Sequence, residues 1–189
     1  MDRIIPIAVV VGAVVLIGVF WVMGIYNGEV RLDQDVEKSW ANVESEYTRR
    51  FDLVPQLINV VTGAASFEQE TLTQLTALRS QWQTQTNQAD KIETANQFES
   101  TLSKLLVITE NYPELKSNEN FLELQASLEG NENRISVERK RYNDAVREYN
   151  VYIHLFPNSF LLAGKAEKDY FNAPPGADAP PVVPTDFTN

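Results

Sequence analysis

Residues 4–25 read IIPIAVVVGAVVLIGVFWVMGI, 22 consecutive positions without a charged side chain. At about 1.5 Å rise per residue, a helix of this length spans roughly 33 Å, against a bilayer hydrocarbon core about 30 Å thick. The run predicts a transmembrane helix over 4–25. Pro6 falls in its first turn, where the missing N–H costs little. Trp21 and Tyr26 lie near its C-terminal end, where aromatic rings favour the membrane interface. A cleaved signal peptide is the competing reading. Its apolar region is shorter than this one, and it ends in a small-residue cleavage site that this sequence lacks. Orientation is weakly encoded. Arg3 precedes the run, and Arg31 and Lys38 follow it. That count leans towards an inward-facing soluble part, yet a long following domain crosses regardless of charge, so the side stays open.

The composition then excludes several kinds of chemistry. Cysteine is absent, which removes disulfides, thiolate metal sites and cysteine nucleophiles. His154 is the only histidine, so neither a His-pair zinc site nor a di-metal bundle built on Glu-x-x-His pairs fits in one chain. No phosphate-binding glycine loop, nucleotide fingerprint or Ser/His/Asp arrangement is present. The formal net charge of −10 argues against sequence-independent nucleic-acid binding, which relies on basic side chains neutralising phosphates. No catalytic, cofactor-binding or metal site is expected.

Beyond the apolar run, residues 29–172 read as helix almost throughout. Val36, Trp40, Val43, Tyr47, Val54, Leu57 and Val61 recur at steps of 3, 4 or 7, the pattern of a helix with one buried stripe. Pro55 falls inside this segment and should bend it. Gly63 suits a chain reversal, and Ser66 with Gln69 forms a capping box. Positions 40, 47, 54, 61, 75 and 82 nevertheless keep one seven-residue phase, so a single helix through Gly63 stays open as well. Asp90 with Glu93 reads as the start of a further helix, which Tyr112-Pro113 stops. The last helix starts near Asn118, with Phe121, Leu128, Ile135, Tyr142, Tyr149 and Phe156 in steps of seven along one seam. Five prolines between Pro174 and Pro184 predict an extended, disordered tail over 173–189.

Helices over 29–62, 66–86, 90–111 and 118–156 would measure roughly 51, 32, 33 and 58 Å. Alternating direction brings the end of the fourth back to the membrane. Ile153, Leu155, Phe156, Phe160, Leu161 and Leu162 would then lie close to the bilayer. Phe156, Phe160, Leu161 and Leu162 are candidates for membrane-proximal contact with lipid or a neighbouring anchor, with packing at the bundle end as the alternative.

Several motifs follow one another in order: Val36-Glu37-Lys38-Ser39-Trp40-Ala41-Asn42-Val43, then Tyr47-Thr48-Arg49-Arg50-Phe51-Asp52-Leu53-Val54-Pro55-Gln56-Leu57, then Glu110-Asn111-Tyr112-Pro113-Glu114-Leu115-Lys116, Arg141-Tyr142-Asn143 and Tyr149-Asn150. Together they resemble the LemA family of bacterial membrane proteins over about Tyr26 to Phe171. The resemblance implies an all-α architecture: a single-pass N-terminal transmembrane helix, then an antiparallel up-and-down four-helix bundle. It implies no established enzyme activity. A relative's work in magnetosome membrane formation suggests membrane organisation. Members often carry His-Glu after the Gly-x-Ala turn, where this chain has Phe67-Glu68, so an acid–base or metal role there lacks its histidine.

Arg49, Arg50 and Asp52 lie just before Pro55. They suggest a structural polar network, with Asp52 meeting an arginine of another helix, or Arg50 meeting Glu110 or Glu138. Solvated surface charge is the alternative. Tyr142 and Tyr149 are expected to pack their rings and give their hydroxyls to polar partners. The reading is a membrane-anchored, non-enzymatic scaffold of the bacterial plasma (inner) membrane. It meets lipid through its first helix, with a homo-oligomer in view and no nucleic-acid partner. An adaptor docking a membrane-protein partner, such as a protease or secretion component, through the proline-rich tail is the second reading.

Overall fold

The computed structural model describes residues 4–62 and 69–171. The expected reversal at Gly63, the Ser66–Gln69 capping box and the proline-rich tail fall wholly or partly outside the described residues. Those described are mainly helical with no strand among them: α1 (Ile4–Asp52), α2 (Val54–Thr62), α3 (Gln69–Thr84), α4 (Gln88–Thr109), α5 (Pro113–Lys116), α6 (Glu119–His154) and α7 (Asn158–Leu161).

Two features of α1 differ from the sequence reading. The sequence reading ends one helix at 25 and starts the next at 29, whereas the helix continues through 26–29 to Asp52. Tyr26-Asn27-Gly28-Glu29 contains no proline, and a lone glycine does not break a helix packed on a neighbour. Gly28 has a packing reason: a Cβ there would overlap the Tyr152 ring, with Cζ 2.8 Å away. The interruption due to Pro55 falls at Leu53. Leu53 N donates to Arg50 O at 3.2 Å, a three-residue turn, and Leu57 N donates to Leu53 O at 3.0 Å as α2 resumes. Pro55 thereby sits in the first turn of α2, where no donor is lost.

The other boundaries follow their caps. Asn87, not Asp90, caps α4: its Oδ1 accepts from Ala89 N at 2.8 Å and Asp90 N at 3.4 Å. Asp90 instead lies in the first turn, where a negative charge suits the helix dipole. Asn118 Oδ1 caps α6, accepting from Asn120 N at 3.0 Å and Phe121 N at 3.3 Å. Since α6 ends at His154, the seven-residue seam stops at Tyr149. Phe156, its expected next member, is 89% exposed. Pro157 explains the stop, because the residue before proline disfavours helical geometry.

The chain divides into two compact units. Among the described residues, one comprises 4–41 and 140–170, the other 42–62, 69–139 and 171. In the first, α1 and α6 are antiparallel: Ile25 meets Tyr152, Glu29 meets Tyr149, and Trp40 meets Tyr142. Val36, Tyr142, Val146, Tyr149, Ile153 and Leu162 form its core. In the second, the end of α1 meets α3 and α4 through aromatic rings. Phe51 lies 5.1 Å from Trp82 and 4.3 Å from Phe98, and Tyr47 stacks on Phe171 at 5.7 Å. Val43, Val54, Leu57, Val61, Leu75, Leu102, Leu128 and Ile135 fill the rest. The α1 stripe predicted from spacing is thus buried, apart from the half-buried Trp40.

Candidate functional site

In the first unit, the chain after α6 does not continue as helix. It turns through α7 and 162–164 and then runs as a strap without regular secondary structure over 165–170, which also corrects the expectation of helix to residue 172. Asn158 closes the turn by donating to Tyr152 O at 3.0 Å, satisfying a carbonyl at the end of α6. Two tyrosines fix this turn to the end of the apolar run. Tyr152 Oη donates to Ile25 O, and Tyr26 Oη donates to Leu161 O, each at 3.0 Å.

The strap then travels along α1 away from the apolar run. Lys165 Nζ reaches Glu29 at 2.9 Å, and Lys168 Nζ reaches Asp33 at 2.5 Å. On the α6 side, Asn150 brackets Lys168, donating to its carbonyl at 3.0 Å and accepting its N–H at 2.8 Å. Tyr142 Oη donates to Asp169 O at 2.6 Å, and His154 pairs with Glu167 at 2.6 Å. Glu29 is only 2% exposed, and its second contact is a 3.3 Å hydrogen bond from Tyr149 Oη. A buried carboxylate needs such partners. Burial, with Glu29 and Asp33 adding to it, pushes the Tyr149 hydroxyl up to about 12. Burial likewise pushes Tyr142 up to about 12. The Glu29 hydrogen bond and charge raise the Lys165 ammonium, holding it protonated.

The turn sorts the apolar residues that the sequence grouped together. Ile153 and Leu162, each 3% exposed, belong to the core, so Leu162 faces the protein interior. Leu161 is half-buried. Leu155, Phe156 and Phe160 point outward, and Phe156 and Phe160 are more exposed than any other large apolar side chain among the described residues.

The second unit holds a buried ionic cluster. Arg50 on α1 is 5% exposed, and its Nη1 donates to Glu99 on α4 at 2.9 Å and to Glu132 on α6. Its carboxylate partners are therefore Glu99 and Glu132, in place of the expected Glu110 or Glu138. Glu110 is exposed just beyond α4, and Glu138 is half-buried on α6. Burial pushes the Glu99 carboxyl up to about 7; Arg50 opposes this and Glu132 reinforces it. Burial, with Glu99 adding to it, raises the nearby Tyr47 hydroxyl. Arg49 pairs with Glu46 on its own helix at 3.0 Å, and Asp52 meets Arg79 of α3 at 3.5 Å. Glu46 also joins α1 to α6 through Asn131 at 3.2 Å and Arg134 at 3.2 Å.

Sequence reasoning singled out Arg50 beside the Pro55 break and did not single out Glu29, Glu99 or Glu132. One signal existed for Glu29, a carboxylate one turn beyond an apolar span. For Glu99 and Glu132 the pattern gives no signal, because they flank the apolar stripes. Among the described residues, no group of three or more His, Asp or Glu side chains is placed to hold a metal ion. One helix among them, α1, is apolar and long enough in its N-terminal part to cross a membrane.

Comparison with known proteins agrees with the motif order. Magnetosome protein MamQ 1 of Paramagnetospirillum magneticum is 32% identical over 92 residues, 48% of this chain and 34% of that protein. Magnetosome protein MamQ of Magnetospirillum gryphiswaldense matches with the same identity and coverage. The chain thus spans about a third of the length of these relatives. Protein LemA of Metamycoplasma hominis is 23% identical over 146 residues, 76% of this chain and 67% of that protein. The LemA family profile matches residues 39–185, more than three quarters of the sequence, and the chain belongs to the LemA family.

Proposed function

We propose that this chain is a membrane-anchored, non-enzymatic scaffold of the bacterial inner membrane that self-assembles to organise or shape the bilayer. In this reading the helices after the anchor form an antiparallel up-and-down four-helix bundle. Cross-links among α1, α3, α4 and α6 by the Arg50 cluster, Asp52–Arg79 and the Phe51 ring cluster support it.

The observation that carries the proposal is the continuity of α1. The apolar run passes into the packed part without a linker, and the strap clasps the helix just beyond the run through Glu29 and Asp33. A loosely tethered enzyme needs no such joint. A scaffold does, because a fixed exit direction lets neighbouring copies impose a common geometry on the bilayer. That two relatives carry the name magnetosome protein favours the same reading.

Native mass spectrometry of the full chain in mild detergent tests it, alongside flotation of reconstituted vesicles. The expected outcome is a discrete oligomer with co-flotation resistant to alkaline carbonate. A strict monomer at every concentration would remove self-assembly, and release by carbonate would remove the anchor.

A further inference from the structure

We infer that Phe156 and Phe160 form an aromatic wedge that inserts into the lipid interface beside α1, giving the protein a second, non-spanning membrane contact. The inference rests on the anchored reading above and adds a lipid-binding site to it. Its basis is a juxtaposition within one unit. Phe156 is 89% and Phe160 82% exposed, while their immediate neighbours are pinned to the end of the apolar run. Tyr26 holds Leu161 O, and Tyr152 holds Ile25 O.

Helix direction sets the depth. Side chains on a helix lean towards its own N-terminus. Tyr152 therefore reaches Ile25 O from a backbone position further along α6. Because α6 is antiparallel to α1, that position lies on the membrane side of Ile25. Residues 155–160 follow it, level with the last turns of the apolar run, where Trp21 and Tyr26 also sit. A phenylalanine in water at that level has no compensation, whereas the interface accepts aromatic rings.

The chemistry specifies lipid rather than a charged partner. The nearby cations Lys165 and Lys168 are already paired with Glu29 and Asp33, so the face offers apolar rings without free positive charge. Binding should therefore depend on the hydrocarbon boundary and hardly on anionic headgroups. Two rings and Leu155 are also too small a patch for a stable dimer, which needs roughly 800 Å² per partner.

The absence of cysteine makes the test clean. Full-length Phe156→Cys, Phe160→Cys, Trp21→Cys and Val107→Cys chains are each labelled with an environment-sensitive fluorophore and reconstituted into phosphatidylcholine vesicles, with and without phosphatidylglycerol. Quenching by shallow nitroxide lipids is compared with quenching by aqueous iodide. The expected result is that positions 156 and 160 behave as Trp21 does: quenched by nitroxide lipid, protected from iodide, with blue-shifted emission unaffected by phosphatidylglycerol. Val107, exposed on α4, should show the reverse. Iodide access at both 156 and 160 with Trp21 still lipid-quenched would overturn the wedge alone. Loss of lipid quenching at Trp21 as well would overturn the anchor reading. Protection at 156 and 160 that disappears when the protein is diluted in lipid would overturn the wedge in favour of contact between copies.

Discussion

Replacing Arg50 with methionine should measurably destabilise the second unit. The guanidinium is nearly inaccessible, and it joins carboxylates on two other helices. Methionine roughly preserves the stem volume but leaves Glu99 buried without its cation. Removing one member of a buried ion pair costs about 3–5 kcal/mol where the remaining charge stays desolvated; Glu99, already raised to about 7 beside Arg50, takes up a proton once the cation is gone, so the loss is about 1–3 kcal/mol, that of a buried polar group short of a partner. Glu132 is about half exposed, so its share is screened and adds little. At about 2–4 °C per kcal/mol for a chain of this size, the melting temperature should fall by roughly 2–12 °C. Far-UV circular dichroism of the full chain in mild detergent, at neutral pH, reads this directly. The Arg50→Met/Glu99→Gln/Glu132→Gln variant should recover part of the loss, since the orphaned carboxyls go with the cation. The reasoning is refuted if Arg50→Met melts within about 0.5 kcal/mol of the parent, or if the single substitutions simply add.

Three further outcomes follow from the geometry. Glu99→Gln should flatten the pH dependence of stability. With the native carboxyl raised from 4.5 to about 7, the native state holds more protons than the unfolded chain between those values. That contribution is complete below about 4.5 and is lost as pH rises through about 7; a variant-minus-parent difference without slope in this window would contradict the assignment. Gly28→Ala should lower stability by about 1–3 kcal/mol through overpacking on Tyr152, and Tyr152→Phe, which removes the nearest atom, should restore part of it in thermal melts. Glu29→Gln should loosen the strap, read as several-fold faster tryptic cleavage at Lys165 and Lys168 with cleavage in α4 unchanged; equal rates in parent and variant would detach Glu29 from the clasp.

How much was legible depends on what the local pattern encodes. Apolar spacing reports which face of a helix turns inward, so Val36, Val43, Tyr47, Val54, Leu57 and Val61 were found without error. Proline reports where backbone donors are missing, so the break before Pro55 was found within two residues. Neither reports how far one helix slides along another. Glu99, Glu110, Glu132 and Glu138 are chemically equivalent as partners for Arg50. Choosing among them needs the axial offset between helices, and a slip of six residues in α6 is about 9 Å. For α4 that offset goes with the Phe51–Phe98 contact, and for α6 with Asn131 and Arg134 on Glu46, tertiary facts absent from any single helix.

The misreading of Phe156 follows from the same limit and carries more functional weight. Its place in a seven-residue series made it a core residue by pattern and a surface residue by neighbourhood. Pro157 decided between them by ending α6 two residues early. Once the helix stops, a residue loses its phase, and its burial depends on what the turn is fastened to. Here the turn is fastened by Tyr26 and Tyr152 to the end of the apolar run, with Leu162 tucked inward as the fixed point. A turn held only by its own packing would hide its largest rings. This one instead spends its tyrosine hydroxyls on backbone carbonyls and leaves Phe156 and Phe160 outside. An arrangement that is unfavourable in water is consistent with a surface whose surroundings at that level are not water.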